Sequence, residues 1–212
     1  MKNPLTLFRV LTKTMIILLV SAMTILFTSQ HAVAFTWTEV GDAGELPEEA
    51  QVISGEGPLE SISGFLESPT DVDMYEIFIT GDGSFSATTV GLTVDVDTQL
   101  TLFDLSGYGI YSNDDDAADG SQSTLPAFNP LTPTTPGSYY LAISDWDWDP
   151  KSIEGFIFPH PDTIGSNTAV DGPTGPGGES PIIVWDGIST RGGGSYTIAV
   201  TGIPTTTPVP EL

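Results

Sequence analysis

The sequence contains no cysteine and very few basic residues. Without cysteine the chain has no disulfide bonds, no thiol nucleophile and no thiolate metal site, so it must be held together by its own core or by bound metal. Of its five lysine and arginine residues, Lys2, Arg9 and Lys13 precede position 34, whereas all 28 acidic residues follow it. The two ends of the chain therefore differ sharply in charge.

The first 34 residues have the pattern of a secretory signal peptide. The three basic residues precede an apolar run from Met15 to Phe27, and Ala32-Val33-Ala34 supplies small side chains for cleavage. The run has about 13 residues, fewer than the roughly 20 that a membrane-spanning helix needs. We expect residues 1–34 to be removed, which leaves Phe35 first and no stable membrane span. The protein is then secreted or held at the cell surface.

The remaining 178 residues (212 minus 34) are strongly acidic. They carry 28 acidic side chains against Lys151 and Arg191, a formal charge of −26. Such a surface repels nucleic acid and anionic lipid, which excludes both as partners. It suits bound cations, and it also suits simple solubility in an exported protein.

The pattern of apolar residues after position 34 is typical of an all-β sandwich or barrel, because short alternating segments are separated by Gly, Pro, Asp and Asn. The clearest strand lies in Asp71–Ile79, where Tyr75, Ile77 and Ile79 share the face expected to meet the core. Gly81-Asp82-Gly83 predicts a hairpin turn. The main predicted strands are Thr36–Val40, Leu59–Leu66, Val72–Thr80, Ser84–Val90, Gln99–Asp104, Ser138–Ser144 and Ser195–Thr201. Weaker ones are predicted at Ile110–Ser112, Ser123–Phe128, Ile153–Phe158 and Ile182–Trp185.

Several stretches occur in an order and spacing that match a known family. They are Gly41-Asp-Ala-Gly-Glu45, Ser61–Leu66, Asp71-Val-Asp-Met-Tyr75, Asp97–Asp104 with Gly107, Ser112–Asp116, Pro136–Ile143 and Gly194–Val200. Together they resemble the bacterial pre-peptidase C-terminal (PPC) domain over roughly Gly41 to Gly202. The resemblance implies a single domain at residues 35–202, folded as a jelly-roll-like antiparallel β-sandwich without catalytic residues. Members of the family accompany secreted or surface proteins, and some bind calcium, matrix or polysaccharide.

Residues 203–212 are predicted to form an extended Pro/Thr-rich tail. Its Pro208-Val-Pro-Glu211 resembles the start of a bacterial C-terminal sorting signal of the Val-Pro-Glu-Pro type. That signal continues with a hydrophobic span and a basic cluster, and this sequence stops first. We therefore expect either a truncated sorting signal or a protein that is simply secreted.

Calcium is the ligand that the acidic composition favours most, because it takes six to eight oxygen atoms from carboxylates, carbonyls and water. In calcium-binding relatives, acids before the signature strand join an Asp of that strand. By position the resemblance implies Asp42, Glu45, Asp71 and Asp73 as metal ligands. The alternative for Asp71 is that it caps the turn before the strand.

Two further acidic sets are candidates for calcium. Asp114 and Asp116 belong to the run Asn113–Asp116, whose alternative is a solvated hairpin tip. The other set is Asp145, Asp147 and Asp149. Neither set matches the spacing of an EF-hand loop.

Two tryptophans lie between the acids of that last set. If the strand of Ser138–Ser144 continues, Asp145-Trp-Asp-Trp-Asp149 places Trp146 and Trp148 on one face and the acids on the other. Exposed, the two indoles would form a stacking platform for a polysaccharide or another matrix component. Buried, they would belong to the core or cover a sheet edge.

The sequence predicts no enzyme. After the signal peptide His160 is the one imidazole, and no Gly-x-Ser-x-Gly nucleophile motif occurs. One histidine does not make a typical zinc site unless carboxylates complete it. A carboxylate-based glycoside hydrolase is the less favoured alternative, since its acid pair is defined by geometry and not by spacing.

Overall fold

The structure is a computed structural model that describes residues 33–159, 168–189 and 192–204. Residues 1–32 of the predicted signal peptide lie outside the described residues. His160 and Pro208–Glu211 lie outside them as well. The described residues form 13 strands and no helix. None of their elements is a helix long and apolar enough to cross a bilayer. The strands are β1 (Phe35–Thr38), β2 (Gln51–Val52), β3 (Leu59–Leu66), β4 (Val72–Ile79), β5 (Ser86–Thr88), β6 (Thr98–Asp104), β7 (Gly109–Asn113), β8 (Thr124–Leu125), β9 (Gly137–Asp145), β10 (Trp148–Ser152), β11 (Gly155–Phe156), β12 (Val184–Gly187) and β13 (Gly194–Thr201).

Two five-stranded sheets form a sandwich. The first sheet has the order β1-β3-β13-β5-β8, and the second has the order β2-β4-β9-β6-β7. The chain passes from one sheet to the other at most connections. The all-β sandwich in a single domain is thereby confirmed, and every predicted strand overlaps an observed one. The pairing is antiparallel except at one edge of each sheet, where β1–β3 and β2–β4 are parallel.

The main core lies between the two sheets. Tyr75, Ile77 and Ile79 of β4 are at most 1% exposed, which confirms the predicted core face of that strand. Buried residues of β9 and β13 join them in one contiguous cluster, including Leu141 and Ile198. The alternation of these strands therefore places one face of each sheet in the core.

The second sheet is covered on its other face as well. β10, β11 and β12 form a third, three-stranded sheet, and residues from this region pack on Met74 and Phe103. The ring of Phe103 meets Phe158 and Trp185 edge-on, with centroid distances of 6.4 and 6.1 Å. The second sheet is thus the middle of three layers, which explains why both Met74 and Tyr75 are fully buried.

The predicted hairpin at Gly81–Gly83 is wrong. Both glycines have the expected positive φ, 73° and 80°, but β4 lies in the second sheet and β5 in the first. The segment therefore carries the chain across the sandwich. Glycine at these positions predicts the local turn, whereas strand pairing depends on which apolar faces meet.

The strand of Ser138–Ser144 does not continue through Asp145–Asp149, so the condition for placing the two tryptophans on one face is not met. β9 ends at Asp145, the chain turns at Trp146 and Asp147, and β10 begins at Trp148 in the third sheet. Asp147 has a φ of 56°, a left-handed conformation that aspartate accepts more readily than most residues. The three acids therefore do not share one strand face.

Because the third layer covers the outer face of the second sheet, we expect a substitution on that face to lower the free energy of unfolding strongly. Phe103→Ala should lower the free energy of unfolding by about 3–5 kcal/mol, because a fully buried ring is lost from a packed site. Urea denaturation measures this change. Phe128→Ala is the matched control, since Phe128 is 78% exposed and its loss should cost less than about 0.5 kcal/mol. Equal effects of the two variants would contradict the packing described for Phe103.

Candidate metal centre

A buried carboxylate lies between the two sheets at the start of β4. Asp73 points to the same side as Tyr75 and is 0% exposed. Tyr196 of β13 donates a hydrogen bond to Asp73 Oδ2 at 2.6 Å, and the hydroxyl oxygens of Tyr75 and Tyr196 are 2.5 Å apart. Because Tyr196 gives its single proton to Asp73, Tyr75 donates to Tyr196. This chain of hydrogen bonds connects the first and second sheets.

Two further carboxylates approach Asp73 from the segment after β1. Glu39 accepts backbone N–H groups with both oxygens, from Ala43 at 3.2 Å and from Phe65 at 2.9 Å. Asp42 accepts the N–H of Gly44 at 3.0 Å. One oxygen each of Glu39, Asp42 and Asp73 lies within 4.8 Å of the other two. The three side chains therefore converge on one small volume.

The electrostatics of this cluster are unfavourable for three bare carboxylates. Burial raises the pKa of Asp73 to about 8 against the hydrogen bond from Tyr196, and the charge of Glu39 raises it further. Burial also raises the pKa of Glu39, although the N–H of Phe65 opposes this. Asp73 Oδ1 is buried and accepts no hydrogen bond from the described residues, although a protonated Asp73 would donate a hydrogen bond to Glu39. The site thus needs either a proton or a cation to balance its charge.

Gly64 in β3 has no side chain, and the cluster occupies the space that a side chain would fill. A Cβ on Gly64 would stand 2.5 Å from Glu39 Oε2 and closer still to the Tyr196 hydroxyl. Real Cβ contacts are not that short, so any side chain here would displace both groups. Gly64 is required for the close approach of Glu39 to the tyrosine.

The structure brings together only part of the first predicted ligand set. Asp42 and Asp73 belong to the cluster. Asp71 lies nearby, but its two oxygens accept the N–H groups of Glu67 and Val72 at 2.5 and 2.9 Å. The turn-capping alternative for Asp71 therefore describes its observed contacts.

Glu45 is exposed and does not belong to the cluster. Partial loss of water around its carboxyl group and then the charge of Asp71 raise its pKa, although the side chain stays exposed to solvent.

Glu39 was not predicted. The sequence interpretation placed it within a strand, Thr36–Val40, whereas β1 ends at Thr38. The available signal was its position just before the acidic segment that begins at Gly41. A carboxylate between a strand end and a turn is free to turn inwards, and the Gly64 opposite provides the room.

The second and third predicted acidic sets meet around Asp114. Burial raises the pKa of Asp114 to about 8, and the charges of Asp115, Asp97, Asp149 and Asp147 raise it further. The end of β7, the start of β6 and the turn between β9 and β10 thus bring their carboxylates close together. Calcium at Asp114 stays a prediction.

The other acids of these sets have structural contacts. Asp116 accepts the N–H of Ala118 at 2.8 Å, as in a capped turn. Asp145 is fully buried and accepts the Ser189 hydroxyl at 2.6 Å. Calcium binding by Asp116 stays a prediction as well. The alternative of a solvated hairpin tip is wrong, because β7 and β8 lie in different sheets and Asn113 and Asp115 are at most 5% exposed.

The two tryptophans are partly buried and lie at the turn between β9 and β10. Trp148 packs against the cluster that covers the second sheet, and its Nε1 is buried without a hydrogen-bond partner among the described residues. Carbohydrate binding through Trp146 and Trp148 stays a prediction, with only part of each indole accessible for stacking.

A scan against protein-family models found no match to the chain, and a search of curated proteins found none either.

The contacts of Gly64 predict a specific steric effect. Gly64→Ala should lower the free energy of unfolding by about 1–3 kcal/mol, because the new methyl group forces Glu39 and Tyr196 apart. Gly137→Ala in β9 is the matched control, since its Cβ would have its nearest neighbour at 3.9 Å. Urea denaturation compares the two variants. If Gly64→Ala is tolerated as well as Gly137→Ala, the close approach at Gly64 is wrong.

The raised pKa of Asp73 predicts how stability depends on pH in the presence of a chelator. Its folded pKa of about 8 is above the ordinary pKa of 3.8 for an aspartate, so between these pH values the folded protein holds a proton that the unfolded chain lacks. The free energy of unfolding should therefore be highest at low pH and fall as the pH rises towards 8. For one proton the slope is about 1.4 kcal/mol per pH unit.

Urea denaturation from pH 5 to pH 8 measures this slope. Asp73→Asn should reduce it, because the amide can donate to Glu39 and accept from Tyr196 without titrating. Asp82→Asn is the control: hydrogen bonds from Ser84 and Thr80 lower the pKa of Asp82 to about 2, so its removal should leave the slope unchanged. An unchanged slope in Asp73→Asn would contradict the assignment.

Proposed function

We propose that the chain is an exported, non-catalytic β-sandwich module of the PPC type, stabilised by a calcium ion at Glu39, Asp42 and Asp73. The observation that carries the proposal is the buried Asp73 Oδ1. It accepts no hydrogen bond from the described residues, yet lies in a group of three converging carboxylates. A cation there would balance the charge and fill the missing contact.

The donor set favours calcium among the common metals. The three residues offer only oxygen atoms, which suit calcium or magnesium, whereas zinc favours histidine and cysteine. Magnesium requires near-ideal octahedral geometry and gives up its water reluctantly, while calcium accepts irregular oxygen cages. The three carboxylates of this site come from strand ends and turns, which form such an irregular cage. Extracellular calcium modules work with a Kd of about 10⁻⁴–10⁻³ M, which a site with one exposed ligand could match.

The ion would have a structural role. Glu39 follows β1 in the first sheet, Asp42 lies in the segment before β2, and Asp73 begins β4 in the second sheet. Binding would join these segments where the sandwich otherwise holds repelling carboxylates. It would add to the connection that Tyr75 and Tyr196 already make.

The burial of Asp73 supports the non-catalytic reading over a glycoside hydrolase. One carboxylate oxygen of Glu39 and one of Asp73 lie within 4.8 Å of each other, which is closer than the roughly 5–5.5 Å between the carboxyl groups of a retaining pair. A nucleophile must also touch the sugar, and Asp73 is 0% exposed. The pair therefore suits an enclosed ion better than a substrate.

The proposed role lies in binding or structure at the cell surface or in the medium. The strong negative charge of the chain and the resemblance to modules of secreted proteins support it. A polysaccharide or another matrix component is the partner class that the resemblance implies.

Calcium removal tests the proposal. Calcium in excess should raise the melting temperature of the wild type above its value in chelator, because a ligand at 100 times its Kd stabilises by about 2.7 kcal/mol. Asp73→Asn and Glu39→Gln should lose this shift, while Asp82→Asn, an exposed turn acid, should keep it. A magnesium salt at equal ionic strength controls for general screening. Identical midpoints with calcium and with chelator would overturn the proposal.

A further inference from the structure

The outer face of the first sheet is made of small hydroxyl side chains. Alternation along β3 and β13 turns Ile62 and Tyr196 into the core and leaves Ser63 and Thr197 outside. Thr38 lies opposite Ser63, and Ser63 lies opposite Thr197. Neighbouring strands are about 4.8 Å apart. The three hydroxyl groups therefore form a short, regular row across the sheet.

A longer row crosses all five strands of the same sheet. The pairing places Thr36, Ser61, Ala199, Thr88 and Thr124 side by side. Hydroxyl pairs fix some of these side chains, as at Ser61–Thr36 with 3.2 Å and Thr88–Thr124 with 2.7 Å. Neither row contains a charged side chain, although the chain has 28 acidic residues. An uncharged face is unexpected on so acidic a protein.

A groove opens at the end of this face where β1 stops. Its walls are Thr38, Ser63, Phe65, Thr93, Ser195 and Thr197, and it reaches Glu39 and Gly64. Phe65 is 53% exposed and lies opposite Ser195 in the pairing of β3 with β13. Its backbone N–H is held by Glu39 at 2.9 Å. The groove thus presents one aromatic ring, on a fixed strand, among several hydroxyl groups.

We propose that this groove, named here the Phe65 groove, binds a neutral polysaccharide. The inference rests on the proposed function, which makes the chain an extracellular binding module, and it names the ligand class and the surface. An aromatic ring stacks on the apolar face of a sugar, and hydroxyl side chains can both donate to and accept from sugar hydroxyls.

The charges around the groove select among polysaccharides. Glu39 lies in the groove, but the proposed calcium ion would offset its charge. Asp95 accepts a hydrogen bond from Ser195 at the groove wall and repels an anionic chain, and the wall residues carry no basic group to compensate. The hydroxyl rows beyond the groove would let a neutral chain extend along the sheet.

The experiment uses affinity electrophoresis of the full chain with calcium present. Gels contain soluble neutral polysaccharides, namely hydroxyethyl cellulose, dextran or xylan, or the anionic dextran sulfate as a comparison. We expect retardation by at least one neutral polysaccharide and none by dextran sulfate. Phe65→Ala should weaken retardation on the order of tenfold, the effect of losing about 1.4 kcal/mol of stacking. Thr197→Glu, which adds a charge to the wall, should weaken it as well.

Two controls separate the Phe65 groove from other aromatic surfaces. Phe128→Ala removes an exposed ring on the loop after β8, and Trp146→Ala removes a ring of the other predicted platform. Both should keep full retardation. The proposal is overturned if no neutral polysaccharide retards the wild type, if either control weakens retardation as much as Phe65→Ala, or if Phe65 proves to mediate self-association in sedimentation measurements without polysaccharide binding.

Melting measurements on the same variants keep the two proposals distinguishable. Phe65→Ala and Thr197→Glu should keep the calcium-dependent rise in melting temperature, which also shows that they fold. If no neutral polysaccharide retards the wild type but calcium still raises its melting temperature, only the groove proposal is overturned. If the wild type is retarded but calcium does not raise its melting temperature, only the calcium proposal is overturned.

Discussion

The structure depends on how the carboxylate of Asp73 is balanced between the two large sheets. Its partner Tyr196 comes from β13 of the first sheet, while Asp73 and Tyr75 belong to β4 of the second. These polar groups cross an otherwise apolar core, and each is fully or almost fully buried. A buried charge is tolerated only if a proton, a hydrogen-bond network or a cation offsets it. The nearby placement of Glu39, Asp42 and Gly64 is consistent with the last of these.

The second sheet, as the middle layer, gives that carboxylate its environment. Packing on both faces of β4 keeps water away from its first residues, so Val72, Asp73 and Met74 are all 0% exposed. The first sheet, by contrast, has one face in the core and one open face. This asymmetry separates the proposed ion site from the open face on which we propose that a neutral polysaccharide binds. The Phe65 groove and the cluster share Glu39, which lies where the two regions meet.

Most of the fold was predictable because it follows from alternation. β3, β4, β9 and β13 were predicted within one residue at each end, and their apolar faces lie where the pattern places them. The hairpin prediction at Gly81–Gly83 failed because a turn signal is local while the partner of a strand is not. Two of the three residues of the candidate site, Asp42 and Asp73, followed from the resemblance. Glu39 did not, because its inward position depends on the space left by Gly64, 25 residues further along the chain.

The sequence by itself determined the β class, the core faces of the long strands and the excess of negative charge, because these depend on side-chain periodicity and composition. Only the tertiary structure decided which of the 28 acids meet. Asp71 and Asp73 are two residues apart, yet Asp71 caps a turn through backbone N–H groups, while Asp73 is turned inwards and meets Tyr196. Alternation would place residues two apart on the same side of a strand, but Asp71 precedes β4 and Asp73 lies within it. Their different chemistry follows because Asp71 belongs to the turn, whereas Asp73 faces the first sheet.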